Sequence, residues 1–475
     1  MSPTARTPVK KKPGTKSGSK SAIKAPTKRI PAVRASSAGM RAPRPRVPGA
    51  DYPISRFTLA NGLRVVLAPD NSSGVVGVAV HYDVGFRSEP EGRTGFAHLF
   101  EHLMFQGSES LPKLEHFRLV QSSGGIFNGS THTDYTDYFE VLPAAALERG
   151  LFLEADRMRA PRITAENLAN QVDVVSEEIR LNVLNRPYGG FPWIDLPPVM
   201  FDSFANAHNG YGDFVDLNAA TVPDCADFFE RYYTPANAVL TVCGDFDEAK
   251  AVDLVHRHFE DVPYRPAPVR PSFSEPWPTT VRRLEKPDAL APAPAFAVGW
   301  RMPDPVADLP GYLAHVLLGQ VLSDGESSRL QSAVVAEAAL ATEIWAGPGL
   351  MGGPLDARDP DVFVLGALHA IDVPADRVIE AAGEQVAALA ADGPSEQERA
   401  RAIARFTSGL YRENDSISAR TRSIGSLELL HGRAELLGEI PQLLEQIDGH
   451  QIAAAAKTLD PTRCAILTVV PGAIQ

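Results

Sequence analysis

Residues 95–107 read G-F-A-H-L-F-E-H-L-M-F-Q-G, with His98, Glu101 and His102 in the order H-x-x-E-H. On an α-helix, positions i and i+4 lie on one face, one turn apart. Two imidazoles at that spacing can meet a single zinc ion at roughly 2.0–2.1 Å each. Glu101, three residues after His98, shares the face and is placed to hold and deprotonate a water at the metal. The order is the inverse of H-E-x-x-H and is itself a metallopeptidase signature. In a chain with 12 histidines the pentad would arise by chance on the order of a few per cent of the time, so its setting matters. Leu99, Phe100, Leu103, Met104 and Phe105 make the surrounding helix strongly apolar. Two histidines and a glutamate in such a helix are costly unless they bind something. Metal binding is therefore favoured over a self-satisfied histidine cluster.

Several elements must position this helix. Residues 54–68 alternate as two strands around Asn61-Gly62, a type I′ hairpin signal. Residues 75–84 form a β-branched buried strand, and a Gly-containing loop leads into the His98 helix. Residues 114–120 are helical, and Gly124-Gly125 breaks them. The Thr- and Tyr-rich stretch 128–141 alternates as one strand ending at Pro143. Residues 144–159 make an amphipathic helix, and Thr164 caps a long helix running to about 185. That helix carries Gln171 and Glu178, seven apart and so on one face. Residues 238–243 are a buried strand closed by Gly244-Asp245, and a helix over 249–259 ends the first half.

Residues 262–278 hold six prolines and make the best linker. Beyond it the plan repeats loosely, with strands over 295–300, 362–370 and 463–470. Helices are expected over 312–322, 327–337, 375–391 and 395–412. His315 stands where the first half has its metal helix, but no Glu or second His follows at the right spacing. The domain reading is a basic arm (1–50), a zinc-binding domain (51–262), a Pro-rich linker (263–280) and a homologous metal-free domain (281–475). The fold class is α+β, two homologous domains that each place helices on one face of a mainly antiparallel sheet.

The 475 residues, 44% hydrophobic and 22% charged, fit a soluble globular protein of two or three domains. Three distant cysteines offer no disulfide framework, and no apolar run approaches the roughly 20 residues of a membrane span. The net charge is −12, yet residues 1–50 carry seven Lys, six Arg and no acid, leaving the remainder at about −25. The arm lacks the apolar stretch of a secretory signal, and its prolines oppose the amphipathic helix of a mitochondrial transit peptide. It reads as a disordered tail with no specific nucleic-acid binding expected, although contact with an anionic surface or with the acidic body stays open. A cytoplasmic location is expected, ahead of a mitochondrial matrix.

Read in order, four motifs carry a resemblance: H-L-F-E-H-L-M-F-Q-G-S (98–108), G-G-I-F-N-G-S-T-H-T-D-Y-T-D-Y (124–138), N-Q-V-D-V-V-S-E-E-I-R (170–180) and Y-Y-T-P-A-N-A-V-L-T-V-C-G-D-F (232–246). With S-S-R-L (327–330) they make the chain similar to the insulinase/pitrilysin family of zinc peptidases, densely in the first half and sparsely in the second. The resemblance implies half of a peptidase clamshell and one zinc ion per chain, held by His98, His102 and a distant glutamate. Glu178 matches that ligand, with its neighbour Glu177 the competitor. It further implies peptide hydrolysis with Glu101 as base, and an extended peptide added as a strand along Phe127, Asn128 and Gly129. Gln171 stands where many relatives have a supporting glutamate. Tyr138, His132 and Asp134 are expected on the strand face or behind the site. Thr342 replaces a tyrosine common in the second half of relatives. Arg329 either reaches substrate or caps a helix in a salt bridge. The family's four-domain chamber implies a homodimer or a pairing with a homologous subunit. A non-catalytic assembly subunit and a small metal-dependent lyase are the competing readings. The intact ligands oppose the first, and the length and two-half plan oppose the second.

Overall fold

The computed structural model describes residues 52–350 and 352–472, and the basic arm lies outside them. The first half builds a six-stranded sheet from β1 (Ser55–Thr58), β2 (Arg64–Pro69), β3 (Val75–Tyr82), β4 (Ile126–Thr131), β5 (Thr136–Pro143) and β6 (Ala238–Gly244). Their order is β1-β2-β6-β3-β5-β4, with β2 and β6 parallel and every other pair antiparallel. The second half builds a five-stranded sheet from β7 (Arg282–Asp288), β8 (Ala295–Arg301), β9 (Ala341–Pro348), β10 (Val362–His369) and β11 (Ala465–Pro471). Its order, β7-β11-β8-β10-β9, also holds one parallel pair, β7 with β11. Without β1, the first sheet has the same order and the same parallel pair. The α+β architecture and the repeated plan are therefore both present.

β3, β6 and β8 are buried along almost their whole length, which requires cover on both faces of each sheet. One face carries the half's own helices. The other is covered by a segment from the opposite half. The helix Ile417–His431 lies on the first sheet so closely that an ideal Cβ at Gly77 would sit 2.2 Å from Thr421 Oγ1. Its own Gly425 meets the His81 ring in the same way. In return, Met200 of the short helix Pro197–Met200 and Leu196 just before it press on Gly299 of β8.

Local expectations fail in two places for physical reasons. The β1–β2 connection is a five-residue loop, because Thr58 pairs with Arg64. Only Gly62, not Asn61, has the positive φ that a type I′ turn needs at both positions. The Asn61 amide instead donates to the carbonyls of Phe259 and Val262 at 2.7 and 3.0 Å. The stretch 128–141 is not one strand but the β4–β5 hairpin, with Thr131 opposite Thr136. Its turn is held by Asp134, which accepts from Arg270 at 2.8 Å and from the Arg358 backbone N–H at 2.8 Å. The helix opened by Thr164 ends as a regular α-helix at Ile179 and continues as a π-turn over Arg180–Leu184. Among the described residues no helix is long and apolar enough to cross a membrane.

Candidate metal centre

Helix α1 (Phe96–Leu103) is fixed by burial on one side and by a cap at its start. Ala97, Leu99, Phe100 and Leu103 are fully buried, and the Phe100 ring packs on Phe228 and Tyr233 at 4.8 and 5.3 Å. The Glu89 carboxylate accepts from the backbone N–H groups of Gly95 and Ala97 at 2.8 and 2.7 Å. Negative charge is favoured there by the helix dipole. Gly95 has φ +81°, and Gly212 lies against it so tightly that an ideal Cβ on Gly212 would be 2.5 Å from Gly95 N. The loop around Tyr211 is thereby clamped to the start of α1.

Three ligand atoms converge across the outer face. His98 Nε2 and His102 Nε2 are 3.3 Å apart. Glu178, on the helix Ala165–Ile179, brings Oε2 to 3.7 Å from the first and 3.5 Å from the second. All three atoms lie within 4.8 Å of one another. Glu177 points elsewhere and pairs with Arg180 at 3.2 Å on the exposed side. The trio is accessible, with the Glu178 side chain 31% exposed.

Two imidazole nitrogens and a carboxylate oxygen form a donor set suited to zinc. Protonation states fit as well. Burial, and then the neighbouring His102, push the His98 imidazole down to about 4, so it is neutral at pH 7. The hydrogen bond with His102 holds the Glu178 carboxyl below its ordinary value, burial opposing. Burial raises Glu101, and the Thr131 hydroxyl partly offsets that by donating to Glu101 Oε2 at 2.8 Å.

β4 is the edge strand of its sheet and runs beside the trio. Gly129 allows that approach, since an ideal Cβ there would lie 3.1 Å from Glu101 Cγ. Asn128 is exposed, while Phe127 packs half-buried on Phe105 and Phe117 at 5.6 and 4.7 Å. Tyr138 is fully buried and its hydroxyl lies 3.4 Å from the Phe100 carbonyl, behind α1. Gln171 is buried, and its amide donates to Asn170 Oδ1 at 2.8 Å. Arg329 is engaged through two hydrogen bonds, 2.7 and 3.0 Å, with Glu398 at a helix start. Thr342 donates to the Leu368 carbonyl at 3.2 Å. His132 lies on the far side of the strand, with Nδ1 3.0 Å from Asp356 and Nε2 2.9 Å from Ser130.

Glu89, Thr131 and Tyr211 were not visible as site residues in the sequence. Only Glu89 left a signal, an acidic side chain just upstream of a helix start. Tyr211, whose hydroxyl donates to Glu178 Oε1 at 3.1 Å, lies 33 positions from it with no repeating spacing to mark it.

Two matched sheets with exchanged cover, and an H-x-x-E-H helix facing a distant glutamate, define a half-clamshell of the zinc-peptidase type. The chain belongs to the insulinase family: the model "Insulinase (Peptidase family M16)" matches residues 64–186, and "Peptidase M16 inactive domain" matches residues 219–406. It is 32% identical over 294 residues to zinc protease PqqE of Helicobacter pylori, covering 60% of this chain and 64% of that protein. It thus spans less than two thirds of that relative's length. An uncharacterised zinc protease of Mycobacterium tuberculosis is 26% identical over 418 residues, 87% of this chain and 92% of that one. The crystal structure of a protease from Helicobacter pylori matches with a TM-score of 0.81 at 25% identity, covering 88% of this chain and all (100%) of that one.

Proposed function

We propose that the chain is a zinc metalloendopeptidase acting on extended peptides or small unfolded polypeptides. The observation that carries this reading is the convergence of His98 Nε2, His102 Nε2 and Glu178 Oε2 within 4.8 Å, beside Glu101 and an open strand edge. One zinc ion held by those three residues would supply Lewis acidity, polarising a peptide carbonyl and acidifying water. Glu101, anchored through Oε2 by Thr131, keeps its other oxygen to take a proton from the attacking water and return it to the leaving amine. The open edge of β4 receives the peptide as an added strand, with the Asn128 side chain exposed beside it and the Phe127 ring forming an apolar wall. Gly129 keeps that strand close to Glu101.

The exposure of Glu178 and His102 leaves the centre open on one side in the single chain. A second copy, or a homologous chain, closing over it would exclude water and complete a chamber. The test is direct. Purified chain should hold about one zinc, and Glu101→Gln should retain it while losing cleavage of a quenched fluorogenic peptide by at least about 10²-fold. Hydrolysis that persists in Glu101→Gln at the wild-type rate would sink the mechanism.

A further inference from the structure

Both carboxylates of the centre are held through one oxygen by one hydroxyl. Glu178 Oε1 accepts from Tyr211 at 3.1 Å, while its Oε2 faces the two imidazoles at 3.7 and 3.5 Å. Glu101 Oε2 accepts from Thr131 at 2.8 Å. The two hydroxyls come from separate elements. Thr131 ends the edge strand β4, opposite Thr136 of β5. Tyr211 sits in the loop clamped on Gly95, its ring 5.4 Å from Trp193 and edge-on to His98 at 5.1 Å and 88°. Asn182 adds a weaker hold on the same Glu178 oxygen at 3.5 Å.

A carboxylate is symmetric and turns about its last bond, so nothing within it chooses which oxygen does the work. A fixed donor on one oxygen makes that choice. We propose that Tyr211 and Thr131 are positioning residues that divide the labour of the two carboxylates. Tyr211 commits Glu178 to the metal through Oε2 alone. Thr131 parks one oxygen of Glu101 and leaves the other to carry the proton. This inference rests on the zinc-peptidase reading above and adds to it which neighbours assign the roles. Partners of metal ligands that act in this way change metal affinity by about 10–100-fold when removed.

The two halves of the proposal separate experimentally. In the full purified chain, zinc affinity is measured by competition with a chromogenic chelator, and cleavage with a quenched peptide. Tyr211→Phe and Thr131→Val each delete one hydroxyl, and thermal melting reports whether each variant is folded. Tyr211→Phe should weaken zinc by about 10–100-fold, whereas Thr131→Val should hold it as tightly as the wild type. Thr131→Val should lower kcat by about tenfold or more with KM unmoved, and Thr131→Ser should restore it. Equal losses of affinity in both variants would indicate general loosening and overturn the division of labour. Unchanged affinity in Tyr211→Phe overturns its half, and unchanged kcat in Thr131→Val overturns the other. A wild-type chain that binds no zinc would instead refute the underlying metal reading, a result distinct from all of these.

Discussion

The first helix after β3 and the first helix after β8 occupy matching places in the two halves, yet their histidines have opposite fates. In α1, His98 and His102 turn their Nε2 atoms to each other and to an accessible glutamate. In the helix Leu309–Ser323, His315 is 2% exposed, with Nδ1 2.8 Å from the Gly311 carbonyl and Nε2 2.8 Å from the Thr458 hydroxyl. Both ring nitrogens are thereby satisfied within the fold. The scaffold is the same in both places. What makes a binding centre is a set of polar groups that the fold brings together but does not satisfy internally.

Paired substitutions test that contrast most severely. His98→Ala or His102→Ala should reduce bound zinc from about one per chain to none, read by metal analysis. His315→Ala should leave zinc in place. Retained zinc in His98→Ala would erase the distinction between the two helices.

A second test concerns the contact between the halves. Arg422, from the helix that covers the first sheet, donates to the buried Asp137 at 2.6 and 3.0 Å, and His132 lies beside the same carboxylate. Burial opposes charge on His132, but Asp137 and Asp356 overcome it and raise the imidazole to about 9. Because this folded value lies above the ordinary one near 6.5, the stabilisation is fully present below about pH 6.5 and is lost as pH rises through 9. The size of the effect is at most about 3 kcal/mol. Urea midpoints of the wild type should fall across that window, and His132→Asn should flatten the fall. A parallel decline in both proteins would remove His132 from the account.

Smaller effects are expected in the second half. His315→Ala, which deletes two hydrogen bonds in the core, should cost about 2 kcal/mol by chemical denaturation. Arg329→Ala, which removes a partly exposed pair with Glu398, should cost about 1 kcal/mol or less and leave cleavage kinetics unchanged. A rise in KM for Arg329→Ala would mark it as a substrate contact.

Much of the candidate centre was legible in the chain because it depends on spacing along single helices. The four-residue step from His98 to His102 and the Thr164 cap are local matters. The Thr164 hydroxyl accepts from Asn167 N at 3.1 Å, as a capping residue should. The β4–β5 hairpin was hidden because Thr and Tyr continue to alternate through the turn. The bend is held by Asp134 contacts that reach as far as Arg358, 224 positions away. The helix Ile417–His431 was hidden for the opposite reason. One side lies in the second half's core and the other on the first sheet, so no polar face remains to produce a period.

The amino-acid sequence by itself determined the residue types that can bind a metal and the helical spacing that aligns two of them. It also set the repeated order of apolar strands, because backbone geometry ties a periodic pattern to an element. Tertiary structure alone decided which oxygen of Glu178 and of Glu101 is held by a neighbouring hydroxyl, that Arg329 is tied to Glu398, and that each sheet is covered by the other half. Those outcomes depend on distances between groups far apart in the chain. Side-chain identity sets what such groups can exchange, and only the packed fold sets whether they meet.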